Sequence, residues 1–494
     1  MSRAKTEKMK NILLIALVLA SLIQVGVLWE YENHWLPTDF LLKAFHNSSN
    51  DKESNEHLAD YFTPKRIIYS YRSFMGISNS IDASYHVLPQ DNKNYGILWE
   101  ESKAYLKYIL KANNPERKQI TLDEWNTVFE RKSYIVEFKI PLDTKLIAQS
   151  MDIGTVGDSA PKDIKKMLIR PDEDLNEPII TVFILTSDSA YKYSVNIYDA
   201  NKTVNLSFLG KNSYKGIFDD IEKDGSLKDY MLFISPGGEN NEKFKDYFNH
   251  DIIIPLTGYS VSQIKKIRIA PPELFTHTQM KTEKFAQMLL GDELHSYDVY
   301  PDNNYTEFRN LDNIYKTYED GRVEYTYLST IDKGNKGSIG KAFSNAVRFV
   351  EFMKKQFMKN TDGVTFELSS IKESADGKAY QFGFDYVING YTCIVDYGTD
   401  SLMNHKDSIT IEANEERMTS FKGYILNMEP SDVYSYKESY MDVLVSQALK
   451  GKMIENIGIC YHVMPSVKEK EYLPSWLIQR KGENNSFLDL EKKK

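Results

Sequence analysis

Cysteine is scarce in this chain, with two residues among 494, and that scarcity limits what can hold its fold together. Cys393 and Cys460 allow one disulfide at most, so no disulfide framework stabilises the protein. Both cysteines lie in hydrophobic segments of alternating character. This context favours buried free thiols, and a bridge between the two cysteines remains the alternative.

The residue patterns of familiar active sites are also missing. None of the nine histidines stands in the H-x-x-x-H or H-E-x-x-H spacing of a helical zinc site. Residues 334–341 look like a phosphate loop, but Asn335 replaces its first glycine and Ala342 replaces the residue that would bind magnesium, which favours a glycine-rich linker. Cys460 and His462 share one face of a predicted strand, without a third group to orient them. We therefore predict no enzyme activity, no cofactor and no metal site.

An excess of basic charge is absent as well. The chain has 61 basic and 70 acidic residues, a net charge of −9. Four of the basic residues, Arg3, Lys5, Lys8 and Lys10, belong to an N-terminal tail, so the rest of the chain is still more anionic. Nucleic acids and anionic lipid surfaces both bind a basic footprint. The charge therefore argues against nucleic acid as a partner.

One long uncharged apolar run is present, at residues 12–29, directly after the basic tail. A helix that rises about 1.5 Å per residue needs about 20 apolar residues to cross the hydrocarbon core of a bilayer. Aromatic residues typical of a membrane interface follow the run. We predict a transmembrane helix at 11–30, with residues 1–10 in the cytoplasm and the remainder outside the cell membrane. Cleavage of a signal peptide near residues 18–20 is the alternative.

Three small or polar side chains, Ser21, Gln24 and Gly26, interrupt the apolar character of this span. Such residues help transmembrane helices to associate. Ser21 and Gln24 are three residues apart and stack on one side of a helix, whereas Gly26 falls away from that stripe. We predict that these residues contact a partner helix, and a plain anchor without a partner is the alternative.

The remainder divides into a spacer and three predicted units. Residues 31–62 are predicted to be a polar spacer, and the almost purely polar stretch 46–57 within it is expected to be flexible. An α/β unit is predicted at 63–150, a β-rich unit at 151–330 and an α+β unit at 331–494. The expected fold class is α+β, with antiparallel sheets and packed helices.

Hydrophobic periodicity also predicts the individual elements. Helices are predicted at 100–111, 121–131, 282–290, 343–358 and 436–449. Thr121 is expected to cap the second of these, with Glu124 completing a capping box. Strands are predicted at 66–71, 133–141, 179–185, 191–198, 204–209, 230–234, 252–256, 266–270, 325–328, 365–368, 380–387, 391–396, 408–412, 423–428, 453–463 and 471–480.

Several of these features together resemble the YycH/YycI family of accessory membrane proteins. A short basic tail precedes one N-terminal span, and the sequence SYIVEFKIP at 133–141 looks like the family's strand before an Ile-Pro turn. The sequence YEDGR at 318–322 resembles a Y-x-D-G-R segment. The final third, from 380–390 through 457–461 to 473–478, looks like the family's terminal hairpin, and its L-P-x-W pattern is shared with PepSY-like domains. The order of parts is closer to the longer of the two family members.

The resemblance implies regulation without chemistry. Proteins of this family associate with a sensor histidine kinase of a cell-wall two-component system in Gram-positive bacteria and with a companion accessory membrane protein, which here would be YycI-like. Coupling is expected to pass through the transmembrane helices. The alternative is an extracytoplasmic cell-envelope enzyme or a PepSY-like peptidase inhibitor.

Overall fold

The computed structural model of the protein has a mixed α/β fold in which strands predominate. The helices are α1 (Lys93–Lys111), α2 (Leu122–Thr127), α3 (Thr144–Ser150), α4 (Lys211–Lys223), α5 (Glu239–Phe244), α6 (Ile339–Phe357) and α7 (Tyr440–Gln447). The structure describes residues 58, 61–73, 82–90, 92–111, 116–128, 132–158, 160–171, 179–198, 200, 211–232, 239–249, 251–255, 262–275, 284, 287, 296–302, 305–328, 336–358, 363–397, 407–436, 440–447 and 450–490.

The strands run through almost the whole of this range. They are β1 (Arg66–Ser73), β2 (Asp82–Leu88), β3 (Glu116–Ile120), β4 (Ser133–Asp143), β5 (Asp163–Pro171), β6 (Ile179–Leu185), β7 (Ala190–Asn196), β8 (Asp229–Leu232), β9 (Ile253–Pro255), β10 (Ser262–Ala270), β11 (Asp298–Pro301), β12 (Tyr305–Arg309), β13 (Asn313–Tyr318), β14 (Arg322–Tyr327), β15 (Val364–Glu373), β16 (Tyr380–Ile388), β17 (Tyr391–Val395), β18 (Ile409–Ala413), β19 (Met418–Tyr424), β20 (Asn427–Tyr436), β21 (Ile454–Val463), β22 (Lys470–Tyr472), β23 (Pro474–Arg480) and β24 (Ser486–Asp489).

The first sheet has nine strands in the order β3-β7-β6-β5-β4-β1-β2-β8-β9, and each neighbouring pair is antiparallel. The apolar sequence of β6 is buried along nearly its whole length, as befits a strand covered on both faces. β4 and β5 are hydrogen-bonded neighbours, although the predicted domain boundary at residue 150 lies between them. That boundary therefore does not coincide with an edge of the sheet.

The second sheet has twelve strands in the order β11-β12-β13-β14-β19-β18-β16-β17-β21-β23-β24, with β15 beside β16. β14 and β19 are neighbours across the predicted boundary at residue 330. A third, smaller sheet has the order β20-β10-β22. Residues 151–330, predicted as a central unit, thus contribute strands to all three sheets. Periodicity identifies a strand, but the pairing partner is set by packing against distant parts of the chain.

Local sequence explains several ends and turns. The Thr121 Oγ1 atom accepts a hydrogen bond from the backbone N–H of Glu124 at 3.0 Å, which confirms Thr121 as the N-cap of α2. Asn389 (φ 52°) and Gly390 (φ 79°) form the turn between β16 and β17 in the left-handed conformation that this pair of residues favours. Gly321 (φ 93°) precedes β14, and a Cβ atom there would lie 2.6 Å from the Ile425 carbonyl oxygen.

Helix α6 lies at the centre of the core. One face of this helix is apolar, and its side chains Phe343, Val347, Val350 and Phe357 are all buried. The helix packs against β16, β18 and β19 of the second sheet and against α3, which follows β4 of the first sheet. One continuous hydrophobic cluster extends from β1 to β23, so the two large sheets share a core.

Some predicted elements differ from those observed. Helix α4 lies between two predicted strands where no helix was predicted, and β2, β3 and β5 were not predicted; charged residues interrupt the alternation of β3 and β5. The predicted strand 423–428 straddles the break between β19 and β20, and the predicted strand 471–480 is divided between β22 and β23. Residue 436, predicted as the start of a helix, ends β20. The predicted strand 204–209 and nearly all of the predicted helix 282–290 lie outside the described residues.

The predicted transmembrane helix at 11–30 also lies outside the residues that the structure describes. Within the described residues, we find no helix that is both long enough and apolar enough to span a bilayer.

Candidate interaction and coupling site

The predicted partner contacts Ser21, Gln24 and Gly26 lie outside the described residues, so the structure does not place them. The first described residues after the predicted anchor lie against the second sheet rather than in solvent. This entry segment and the adjacent junction between the two large sheets form the candidate site.

The entry segment, which we call the strap, consists of Leu58 and residues 61–64. Leu58, Tyr61 and Phe62 are 2%, 6% and 4% exposed and belong to the shared core. The Phe62 ring stacks on Phe343 of α6 at a centroid distance of 5.1 Å, and the Tyr61 ring meets Phe384 of β16 edge to face at 5.7 Å. The strap thus packs on the second sheet before the chain enters the first.

Two polar contacts fix the strap at its sides. The Tyr61 hydroxyl donates a hydrogen bond to the Glu351 Oε1 atom of α6 at 2.6 Å. The Tyr95 hydroxyl of α1 donates to the Pro64 carbonyl oxygen at 2.9 Å. Leu58, Tyr61 and Phe62, at the C-terminal end of the predicted polar spacer, thus form an apolar cluster that packs into the core.

An ion cluster connects the two large sheets near the strap. The Lys139 ammonium of β4 donates to Glu367 Oε1 of β15 at 2.5 Å and to Asp385 Oδ2 of β16 at 3.0 Å. Asp385 Oδ1 accepts from both the backbone N–H and the hydroxyl of Ser408. Burial lowers the pKa of Lys139, but Asp385 and Glu367 outweigh it and raise the pKa above its ordinary value. This lysine therefore stays charged between the sheets.

Asp407 adds a third carboxylate beside this cluster. Its two oxygens accept hydrogen bonds from the hydroxyls of Ser369 at 2.8 Å and Ser370 at 2.6 Å. Burial, together with the nearby charge of Asp385, raises the pKa of Asp407 above its ordinary value. Within the residues that the structure describes, no three His, Cys, Asp or Glu side chains are grouped so as to hold a metal ion.

A second ion cluster lies within the first sheet, around Glu137 of β4. Its carboxylate binds the Arg66 Nε atom at 2.5 Å and the Lys166 ammonium at 3.7 Å. Lys166 also binds Asp251 at 2.8 Å. Burial alone would raise the pKa of Glu137, but Arg66 and Lys166 hold it well below its usual range.

A cleft of about 670 Å³ opens between α3 and the start of α6, lined among others by Lys145, Gln149 and Lys341. Gly340 permits close approach here, because a Cβ atom at this position would collide with the Gln149 amide. The segment that looks like a phosphate loop therefore begins α6 and packs on α3. The helix starts at Ile339, earlier than the predicted residue 343.

The two cysteines lie on opposite faces of neighbouring strands. Cys393 of β17 pairs with Tyr461 of β21, and both side chains belong to the shared core. Cys460, adjacent to Tyr461, faces the other way, against Ile394 and Leu477. Both thiols are free and buried, so the structure favours free thiols over a bridge.

The imidazole of His462 is held by groups other than a thiol. Its Nε2 atom lies 3.2 Å from Asp396 Oδ2, and its ring stacks on Phe487 at 3.8 Å. Phe487 also packs against the cluster that contains Cys460, so Cys460 and His462 share a face of β21 as predicted. Burial raises the pKa of the Cys460 thiol to about 12, which is the opposite of what a nucleophilic cysteine needs.

We expect both cysteines to resist alkylation in the native protein at pH 8, because the thiolate is the reactive form and burial raises the pKa of both thiols. After unfolding in guanidinium without reductant, both should be alkylated, which mass spectrometry would show as two added groups. A chain that takes up the label only after reduction would demonstrate a disulfide and contradict the placement of the two side chains.

The sequence did not identify the strap or the two ion clusters. A signal for the clusters was present in β4, where Glu137 and Lys139 alternate with apolar residues, so that charged side chains face one side of a buried strand. Their partners are up to 246 positions away, and spacing does not reveal them. Leu58, Tyr61 and Phe62 are three apolar residues directly after a polar run, and this was the available signal for the strap.

Two large, predominantly antiparallel sheets share one core, with helix α6 packed against the second sheet and α3, and together they define a strand-dominated mixed α/β fold. Among solved structures, this fold matches the crystal structure of YycH from Bacillus subtilis with a TM-score of 0.53. The alignment covers 88% of this chain and 97% of that chain at 12% sequence identity. The chain therefore has a YycH-like fold, as the resemblance from the sequence predicts. No protein-family model and no curated protein matches the sequence.

Proposed function

We propose that the protein is a non-enzymatic, membrane-anchored regulator that binds a sensor histidine kinase of a cell-wall two-component system and modulates its activity. The observation that carries this proposal is the YycH-like fold over 88% of the chain. The apolar run at 12–29 behind a basic tail supports a single anchor whose N-terminus is cytoplasmic. The partners are the kinase and a companion YycI-like membrane protein, and both would bind this protein within the membrane.

The proposal is tested by removing the protein from cells and measuring the output of the two-component system. Loss of the protein should change transcription of the regulated cell-wall genes, and the kinase should co-purify with the tagged full-length chain. Unchanged output and no co-purified kinase would contradict the proposal and favour the alternative of an envelope enzyme or peptidase inhibitor.

Replacing Gln24 with Leu is expected to weaken association with the kinase while membrane insertion is retained. An amide in the bilayer gains by binding another polar group, but such contacts between helices contribute only about 1 kcal/mol, or about fivefold in affinity. Kinase co-purification and signalling output are the measurements.

Ile23→Leu is the matched control for this change, because it alters a neighbouring apolar side chain without removing a polar one. A second variant carries an unrelated membrane span. If Gln24→Leu and the exchanged span both behave like the wild type, the coupling is not made through the membrane.

A further inference from the structure

The strap connects two parts of the molecule that are far apart in sequence. It lies between the predicted anchor and β1, yet its side chains pack on α6 and β16, about 290 positions further on, as in the bond from Tyr61 to Glu351. Among the described residues, the strap is therefore the first part of the chain after the predicted anchor, and it contacts α6 and the second sheet before the chain enters β1 of the first.

Helix α6 is the element on which three parts of the fold converge. It packs on the second sheet through β16, β18 and β19, and on the first half of the chain through α3. The strap adds a third contact, with Phe62 against Phe343 and Tyr61 against both Phe343 and Glu351. A shift of α6 relative to α3 would therefore change the contacts that hold the strap on α6.

The strap can detach from α6 without disrupting the strand pairing of either large sheet. Residues 61–64 precede β1 and lie outside every strand, so no ladder hydrogen bond is lost when they move. Aromatic packing, the phenol–carboxylate bond and the hydrogen bond from Tyr95 to the Pro64 carbonyl oxygen hold the segment, and Glu351 itself is exposed. Opening of the strap would expose the buried Leu58, Tyr61 and Phe62 but would unpair no strand, so it costs less free energy than global unfolding.

We infer that the strap is a two-position element: it undocks from α6 while both sheets remain folded, and this movement conveys the state of the extracytoplasmic part to the membrane anchor. The second half of this inference rests on the proposed function, whereas the first half concerns the folded protein alone.

Undocking is tested first, by native-state proteolysis of the full-length protein in detergent. Chymotrypsin should cut after Tyr61 or Phe62 much faster than after Tyr134, which is fully buried within β4 and reports global unfolding. Tyr61→Phe removes the hydroxyl and keeps the ring, and it should accelerate cleavage after Phe62 without a change in thermal unfolding. Cleavage at residues 61–62 that is no faster than cleavage at Tyr134 would overturn the inference.

Coupling is tested by tying the strap down in cells. In the double variant Tyr61→Cys with Glu351→Cys, the ring contacts of residue 61 are lost, and a short bismaleimide then joins the strap to α6. The native cysteines are fully buried and should not react. The matched control is Lys336→Cys with Glu373→Cys, whose side chains also contact each other, as an ion pair, but both lie within the second half of the chain.

Before cross-linking, the double variant should move kinase output towards that of cells lacking the protein, by about fivefold or more, the lower range of measured couplings. Cross-linking should restore wild-type output, and the control pair should have no effect in either state. If removal of the protein changes output but neither state of the double variant does, the strap does not carry the signal and the proposed function stands. If removal itself has no effect, the proposed function fails, and the undocking is decided by proteolysis alone.

Discussion

A chain that ends at residue 470 is expected to lose the folded twelve-stranded sheet. The truncation removes β23, which lies inside that sheet between β21 and β24, and it removes β24 as well. Trp476 and Ile478 of β23 are fully buried in the shared core. Without them, β21 becomes an unprotected edge with an open apolar face, which is a template for aggregation.

The expected loss of stability can be estimated from one side chain, that of Trp476. Replacing a buried Trp with Ala costs about 3–5 kcal/mol, against a total stability of about 5–15 kcal/mol for a folded protein. The truncation also deletes Arg480, whose guanidinium donates to the carbonyl oxygens of Lys452 at 2.9 Å and Gln447 at 3.0 Å. The buried Ile478 and the hydrogen bonds between β21 and β23 are lost as well, so the combined loss is comparable to the total stability of a typical domain.

Circular dichroism during heating measures this loss, with Trp476→Ala as the milder variant. Val467→Ala is the control, because its side chain is 52% exposed and surface changes stay within about 0.5 kcal/mol. A truncated chain that unfolds at the wild-type temperature would show that β23 is dispensable. Strong retention of stability in Trp476→Ala would contradict the assigned burial in the same way.

The two faces of β23 show how much of the fold can be predicted from the sequence. Alternation along a strand predicts that Trp476 and Ile478 share a face and that Leu477 lies opposite. The structure confirms this, with Leu477 in a separate cluster beside Cys460. Periodicity and a cap residue are local signals, and they predicted most of the elements.

The arrangement of those elements could not be predicted in the same way. Which strands pair, and hence which residues form one sheet, depends on contacts between segments hundreds of positions apart. β10 joins β20 and β22, and Lys139 binds Asp385, without any local pattern that links the partners. The strap was missed for a related reason: three apolar residues at the end of a polar run have no periodicity, and only the tertiary structure shows the groove that receives them.

Replacing Glu137 with Gln is expected to destabilise the protein by about 3–5 kcal/mol at pH 7, which is the usual cost of removing one partner from a buried ion cluster. The Arg66 and Lys166 side chains would lose their carboxylate while remaining in a poorly solvated place, at 20% and 5% exposure. Lys166 would still form its ion pair with Asp251, so the contact between Glu137 and Arg66 accounts for most of the lost stability. Denaturant titration at fixed pH measures the difference.

The effect should depend on pH in a defined direction. The pKa of Glu137 is held below its ordinary value in the folded state, so its ionised form stabilises the fold above the unfolded pKa of about 4.3. As the pH falls below that value towards the folded pKa, this contribution is lost. The difference between the wild type and Glu137→Gln should therefore be full at pH 7 and shrink below about pH 4.3.

Two further variants separate the ion cluster from general effects of charge. Glu116→Gln removes a carboxylate from an exposed position of β3, and it should change stability by no more than about 0.5 kcal/mol at any pH. Glu137→Leu combined with Arg66→Leu removes both ends of the 2.5 Å contact and should recover part of the lost stability, since apolar pairs often replace buried ion pairs without cost. A Glu137→Gln protein as stable as the wild type, or a difference that grows as the pH falls, would mean that the carboxylate is not held by Arg66 and Lys166 in the folded protein.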